Sequence, residues 1–257
     1  MTTNPYSAPA ATVADPALAV HGDFVPGGRG VAAGRGWTWI TEGWSLFKEQ
    51  PWMWIGIWVA LAVILLVLNF IPLLGPIANA VLWPIFSAGL ALGCRALSEG
   101  EPLEFGHLFA GFRERLGTLA GVGAVTLAIS FAIGMVVAIG MGVGFATMFG
   151  GATPETPEAG MAALLAGLVM LALMLPLFMA VWFAPMLVVF HERGVLEAMK
   201  ESFQGCLRNI VPFLVYGAAG FVLMVLASVP VLLGWLVLGP VMIASIYTAY
   251  RDIYFKA

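Results

Sequence analysis

Six apolar runs, at about 52–74, 77–94, 118–148, 161–190, 210–229 and 231–250, are separated and flanked by segments that hold all 11 basic residues of the chain. A run of roughly 20 apolar residues crosses a bilayer as a helix, because a helix satisfies its own backbone polar groups in hydrocarbon. No run carries Asp, Glu, Lys, Arg or His in its interior, where a charge costs several kcal/mol. The chain therefore reads as an all-α, polytopic membrane protein. Hydrophobic residues make up 61% of its 257 positions and charged residues 10%, against roughly 25% charged in soluble domains. That composition excludes a soluble globular enzyme. A formal charge of −3, spread thinly, excludes a nucleic-acid partner.

The basic residues also set an orientation. Arg29, Arg35 and Lys48 precede the first run; Arg95, Arg113 and Arg115 follow the second; Arg193, Lys200 and Arg208 follow the fourth; Arg251 and Lys256 follow the sixth. Lys and Arg accumulate on the cytoplasmic side, so this pattern predicts three transmembrane hairpins with both termini in the cytoplasm. The links 71–80 and 228–235 are short and uncharged, which predicts tight turns, whereas the link 150–160 is acidic. Residues 1–35 are rich in Ala, Pro and Gly and lack the basic-then-apolar order of a secretory signal. They read as a disordered cytoplasmic tail in which His21 and Asp23 have no chemical role, leaving 36–257 as a six-helix transmembrane domain.

Each hairpin is preceded by an amphipathic segment. From Trp37 to Gln50 the apolar stripe is Trp37, Ile40, Trp44 and Phe47; from Leu103 to Leu116 it is Phe105, Leu108, Phe109, Phe112 and Leu116; from Glu192 to Asn209 it is Leu196, Met199, Phe203, Cys206 and Leu207. Such spacing predicts cytoplasmic elbow helices lying in the interface, aromatic face toward acyl chains. Elbow plus hairpin is then a unit present three times, in parallel orientation. The first and last units align 156 positions apart, Phe47 with Phe203, Leu82 and Pro84 with Leu238 and Pro240, and Arg95 with Arg251. The middle unit matches poorly, and interfacial prolines and aromatics also recur for compositional reasons, so both explanations stand at this level.

Three blocks carry a resemblance: FVPGGRGVAAGRGWTWITEGWSLFKEQP with FIPLLGPIANAVLWPIFSAGLALGC, then RALSEGEPLEFGHLFAGFRERLGTL, then GPVMIASIYTAYRDIYF. They resemble the BPSS-type family of uncharacterised bacterial inner-membrane proteins. More loosely, VLEAMKESFQGCLRNIVPFLVYG is similar to the membrane domain attached to some glycerophosphodiester phosphodiesterases. The resemblance implies a six-helix bacterial inner-membrane protein and transfers no activity and no functional residue.

Little else in the chain points to chemistry. Asn69 and Asn79, near the outer ends of the first two spans, read as interhelical hydrogen-bonding groups or as a polar mouth. Glycines four apart, Gly89 and Gly93, Gly117 and Gly121, Gly140 and Gly144, read as close-packing positions; Gly134 and Gly142 add bending freedom to the third span. Cys94, His107, His191 and Cys206 have soft-metal character but no chelating spacing. Glu99, Glu101 and Glu104 beside Arg95, Arg113 and Arg115 read as solvated mixed charge. No catalytic, cofactor-binding or metal residue is assigned, and no enzyme activity is expected. The expected role is a non-catalytic protein that organises membrane lipids or a protein partner at its cytoplasmic face; the alternative is a transporter or permeation path for a small apolar or amphipathic solute.

Overall fold

The computed structural model describes residues 22–72, 74–140, 156–229 and 233–256. Expectations that fall on 1–21, 141–155 and 230–232, among them those for His21, Gly142, Gly144 and most of the acidic link, lie outside the described residues. Among the described residues the chain is helical, apart from one isolated antiparallel bridge between Phe24 and Phe255. The helices are α1 (Arg35–Glu49), α2 (Pro51–Asn69), α3 (Leu74–Ser98), a 3-10 helix (Phe105–Phe112), α4 (Leu116–Gly140), α5 (Pro157–Trp182), α6 (Ala184–His191), α7 (Val195–Arg208), α8 (Ile210–Ser228) and α9 (Trp235–Tyr254). Five stretches are long and apolar enough to cross a membrane: α2, α3, Leu116–Ile139 in α4, Gly160–His191 across α5 and α6, and α8. α9 is long enough, but Arg251 and Asp252 stand in its last turns.

The fourth apolar run is two helices rather than one. Phe183 N–H, which would bond Met179 O inside a continuous helix, instead donates to Ser202 Oγ at 2.9 Å, and that hydroxyl donates to Met179 O at 2.7 Å. A side chain inserted into the ladder opens a helix at that point. Pro185, which lacks an N–H, then starts α6.

Contacts between the short amphipathic helices and the long ones follow one rule. The 3-10 helix, which follows α3, packs on α3; α7, which follows α6, packs on α5 and α6; and α1, the first described helix, packs on α9 and α8. The three units therefore close into a ring, each short helix seated on the preceding pair and the first seated on the last. Close approach makes these seats. Gly43 of α1 lies against Ser245 and Val241, where a Cβ would stand 2.7 Å from Ser245 N; Gly111 and His107 lie against Ile85 and Gly89 of α3. Val241 and Ser245 are each 156 positions beyond Ile85 and Gly89, the offset that aligns the first and last units in sequence. The middle seat, Ser202 on Met179 and Phe183, uses the same spacing of four. Each of α3, α5 and α9 also contains one internal proline, Pro84, Pro176 and Pro240.

The structure corrects the placement of the first stripe. Trp39, Ile40, Leu46 and Phe47 are buried in the protein core, and Trp37 and Trp44 are exposed. α1 is thus amphipathic between protein and surroundings, with Trp37, Thr41, Trp44 and Lys48 one helical face apart from the buried one. The second amphipathic segment is a 3-10 helix with Phe105 and Phe109 exposed and Leu108 buried.

Candidate functional site

Residues 22–34, assigned to the tail on composition, pack as an extended strap across the ends of α7 and α9. Their backbone polar groups find partners there, which offsets the ordering entropy that the composition argument weighs. Val25 N–H bonds Tyr254 O, Arg29 N–H bonds Ile253 O and Lys256 N–H bonds Asp23 O. Buried Asn209 holds the strap from both sides, its Nδ2 donating to Arg29 O and its Oδ1 accepting from Val31 N–H, both at 2.8 Å, and Arg208 donates to Gly28 O. A turn at Pro26–Gly27 shapes the strap: Gly28 N–H closes on Val25 O, and Gly27 takes a φ of +72°, as position three of a type II turn requires.

Asp252 is the hub beneath the strap. Its carboxylate accepts from Arg29 Nη2 at 3.2 Å, Trp39 Nε1 at 2.8 Å and Arg35 Nε, and its backbone oxygen accepts from Arg29 Nε. Arg35 also pairs with Glu42 at 3.0 Å. Asp252 thus ties the strap and α1 to the last turn of α9. Arg115 pairs with Glu192, and Arg193 pairs with Glu197 at 2.9 Å and lies 3.2 Å from buried Glu201. Burial raises the Glu201 carboxyl above its ordinary value, with Arg193 pulling the other way. The basic clusters before the first run and after the second, fourth and sixth are joined by these contacts and by Arg95 over the Phe190 ring.

The four soft residues have separate surroundings. His107 Nδ1 accepts from Glu104 N–H at 3.0 Å in a capping box at the start of the 3-10 helix. His191 stacks on Phe24, ring centroids 3.6 Å apart, and Nε2 shares a hydrogen bond of 2.6 Å with Tyr250 OH. Cys94 is fully buried in α3, and burial pushes the Cys206 thiol up to about 12, which keeps it neutral. Among the described residues no group of three or more His, Cys, Asp and Glu side chains is placed to hold a metal ion. Asn69 bonds Leu65 O of its own helix, and Asn79 Oδ1 is buried without a partner. Glu99, Glu101 and Glu104 do meet Arg95 and Arg113, around an open groove of about 360 Å³.

Two apolar grooves open on the side of the bundle. One, about 490 Å³, lies between α1, α8 and α9, with Trp37, Ile40 and Trp44 facing Leu223, Leu226 and Val237. The other, about 470 Å³, lies between α5, α7 and α8, with Phe203 and Leu207 facing Leu175, Phe178 and Leu214. Each sits where a short amphipathic helix seats on the second helix of a pair.

A probable inner membrane protein of Burkholderia thailandensis is 30% identical over 206 residues, covering 75% of this chain and 74% of the relative. The chain belongs to that protein's family. It is accordingly an inner-membrane protein, in accord with the resemblance carried by its three sequence blocks. No protein-family profile matches the chain, and no solved structure matches it. Sequence reasoning missed the strap and the Asn209 clamp, although Val25-Pro26-Gly27-Gly28 is a turn signature.

Proposed function

We propose that this inner-membrane protein is a non-catalytic organiser of membrane lipids, with six crossings in three pairs, both termini in the cytoplasm, and acyl chains seated in its two lateral grooves. The observation that carries this reading is that two of the short amphipathic helices, α1 and α7, each border an apolar groove of nearly one size that opens on the side of the bundle. In each, the exposed face of the bordering helix carries large apolar side chains with one lysine: Trp37, Trp44 and Lys48 on α1, and Leu196, Phe203, Leu207 and Lys200 on α7. An aromatic or aliphatic body with a cationic tip is the pattern of a side chain at the lipid headgroup level. The joined basic clusters support the topology, because an even number of crossings between clusters leaves all of them on one side.

Mass spectrometry of everything retained on extraction into native lipid nanodiscs tests the reading, against an unrelated six-span control. Enrichment of a lipid class, reduced when Ala227→Phe fills the first groove, is the expected result. Bulk lipid composition together with a stoichiometric protein partner would replace lipid organisation with a protein-docking role.

A further inference from the structure

The strap end of the bundle contains a cavity of about 120 Å³, separate from both grooves, lined by Arg95, Phe190, His191, Tyr247, Tyr250 and Phe255. All three units build it: Arg95 comes from the end of α3, Phe190 and His191 from the end of α6, and the tyrosines from α9. Its walls are aromatic, and its polar groups are a guanidinium, an imidazole and two phenols. Internal hydrogen bonds hold the phenols. Ser98 Oγ donates to Arg95 O at 2.8 Å, so the Tyr247 hydroxyl is the donor in its 3.1 Å bond to Ser98, and Tyr250 is held by His191.

Arg95 differs from Arg35 and Arg193 at this end. Arg35 and Arg193 have carboxylates at 3.0 and 2.9 Å, whereas Glu99 lies 3.9 Å from Arg95 Nε, beyond hydrogen-bond range. The Phe190 ring, 5.0 Å from the guanidinium carbon, holds it instead. A planar fork with unspent donors therefore stands at a small cavity. Two more arginines seat on rings nearby: Arg193 over Phe24, the ring that stacks on His191, and Arg251 over Tyr247. Arg95 and Arg251 stand in the last turns of α3 and α9, and Arg193 just after α6. The facing acids are Glu99, half exposed beside Arg95, and Glu201, engaged by Arg193.

We propose that this cavity binds a phosphate group, with Arg95 supplying the fork and the hydrogen-bonded His191–Tyr250 pair one further donor. Guanidinium forks match phosphate oxygens with charge-assisted hydrogen bonds. The volume corresponds to about four waters of liquid, enough for a tetrahedral oxyanion while the remainder of its molecule stays outside. A lipid headgroup and a soluble phosphate compound share this chemistry.

Full-length protein in phosphatidylcholine nanodiscs, titrated with radiolabelled inorganic phosphate, tests the soluble source; nanodiscs that also contain phosphatidic acid, read by native mass spectrometry, test the lipid source. One saturable equivalent in either arm is expected, weakened about tenfold or more by Arg95→Gln and unchanged by Arg113→Gln in the neighbouring groove. Should Arg95→Gln fail to fold, Tyr250→Phe keeps the ring and is expected to weaken binding several-fold. Wild-type protein that binds neither probe, or variants at both positions that bind like wild type, would overturn the proposal. The test is independent of the lateral grooves, because both arms present the same phosphatidylcholine chains to them.

Discussion

α5 and α9 are second helices of their pairs, each with an internal proline, and they spend their side chains in opposite ways. α5 belongs to one of the five stretches apolar enough to cross a membrane, and Leu164, Leu168, Leu171, Leu175 and Phe178 point away from the protein. α9 is outside those five, yet Val241, Ala244, Tyr247, Tyr250, Ile253 and Tyr254 are buried, together with Ser245 and Thr248. Its hydroxyls are satisfied by protein: Thr248 donates to Trp39 O at 2.9 Å, and Tyr216 donates to Ser245, whose own proton goes to Met242 O. Apolarity thus reports what a helix shows to lipid. The helix with more polar groups is the one that others pack upon.

Crowding the two helices should separate them most clearly. Gly43→Leu drives a side chain into the α9 backbone and is expected to cost about 3 kcal/mol of stability in detergent unfolding, whereas Gly167→Leu on α5, where a Cβ meets nothing within 4 Å, should change it by less than about 0.5 kcal/mol. Asp252→Asn removes the charge that gathers Arg29 and Arg35; because both arginines are about one-third exposed, the expected loss is about 1–2 kcal/mol, with faster proteolysis of the strap at Arg29. Asn79→Leu, which removes a buried acceptor without a partner, is expected to stabilise by about 1 kcal/mol.

The smallest expected effect depends on pH. Burial holds the Glu201 carboxyl above 4.5 in the folded protein, so folding favours its protonated form. That contribution is complete below 4.5 and is lost as pH rises through the raised value. Glu201→Gln should therefore gain stability relative to wild type as pH is raised from 4.5 toward neutrality, by under about 1 kcal/mol; equal stability profiles across that range would contradict the assignment.

Helical class and the apolar runs were legible because hydrocarbon leaves few choices to a long uncharged segment. The offset of 156 was also legible, and its meaning appears only in three dimensions, where Ile85 and Gly89 do for the 3-10 helix what Val241 and Ser245 do for α1. The two faces of α1 were merged into one stripe, since spacing of three and four cannot tell a protein core from lipid: Ile40 and Phe47 went inward, Trp37 and Trp44 outward. The break at Phe183 has a local signal in Pro185, but the hydroxyl that fills it belongs to Ser202, 19 residues away. The strap was read as tail because its stabilising groups, Asn209 and Asp252, come from the far end of the chain.

The central claim is that α9 completes a sixth crossing although it is the least lipid-like of the long helices. Reporter fusions that are active only in the periplasm test it directly. The account predicts activity for a fusion at Val229, between α8 and α9, and none for a fusion after Ala257. Activity after Ala257 would mean that the chain crosses five times, as the count of apolar stretches alone implies, and would place its two ends on opposite sides of the membrane.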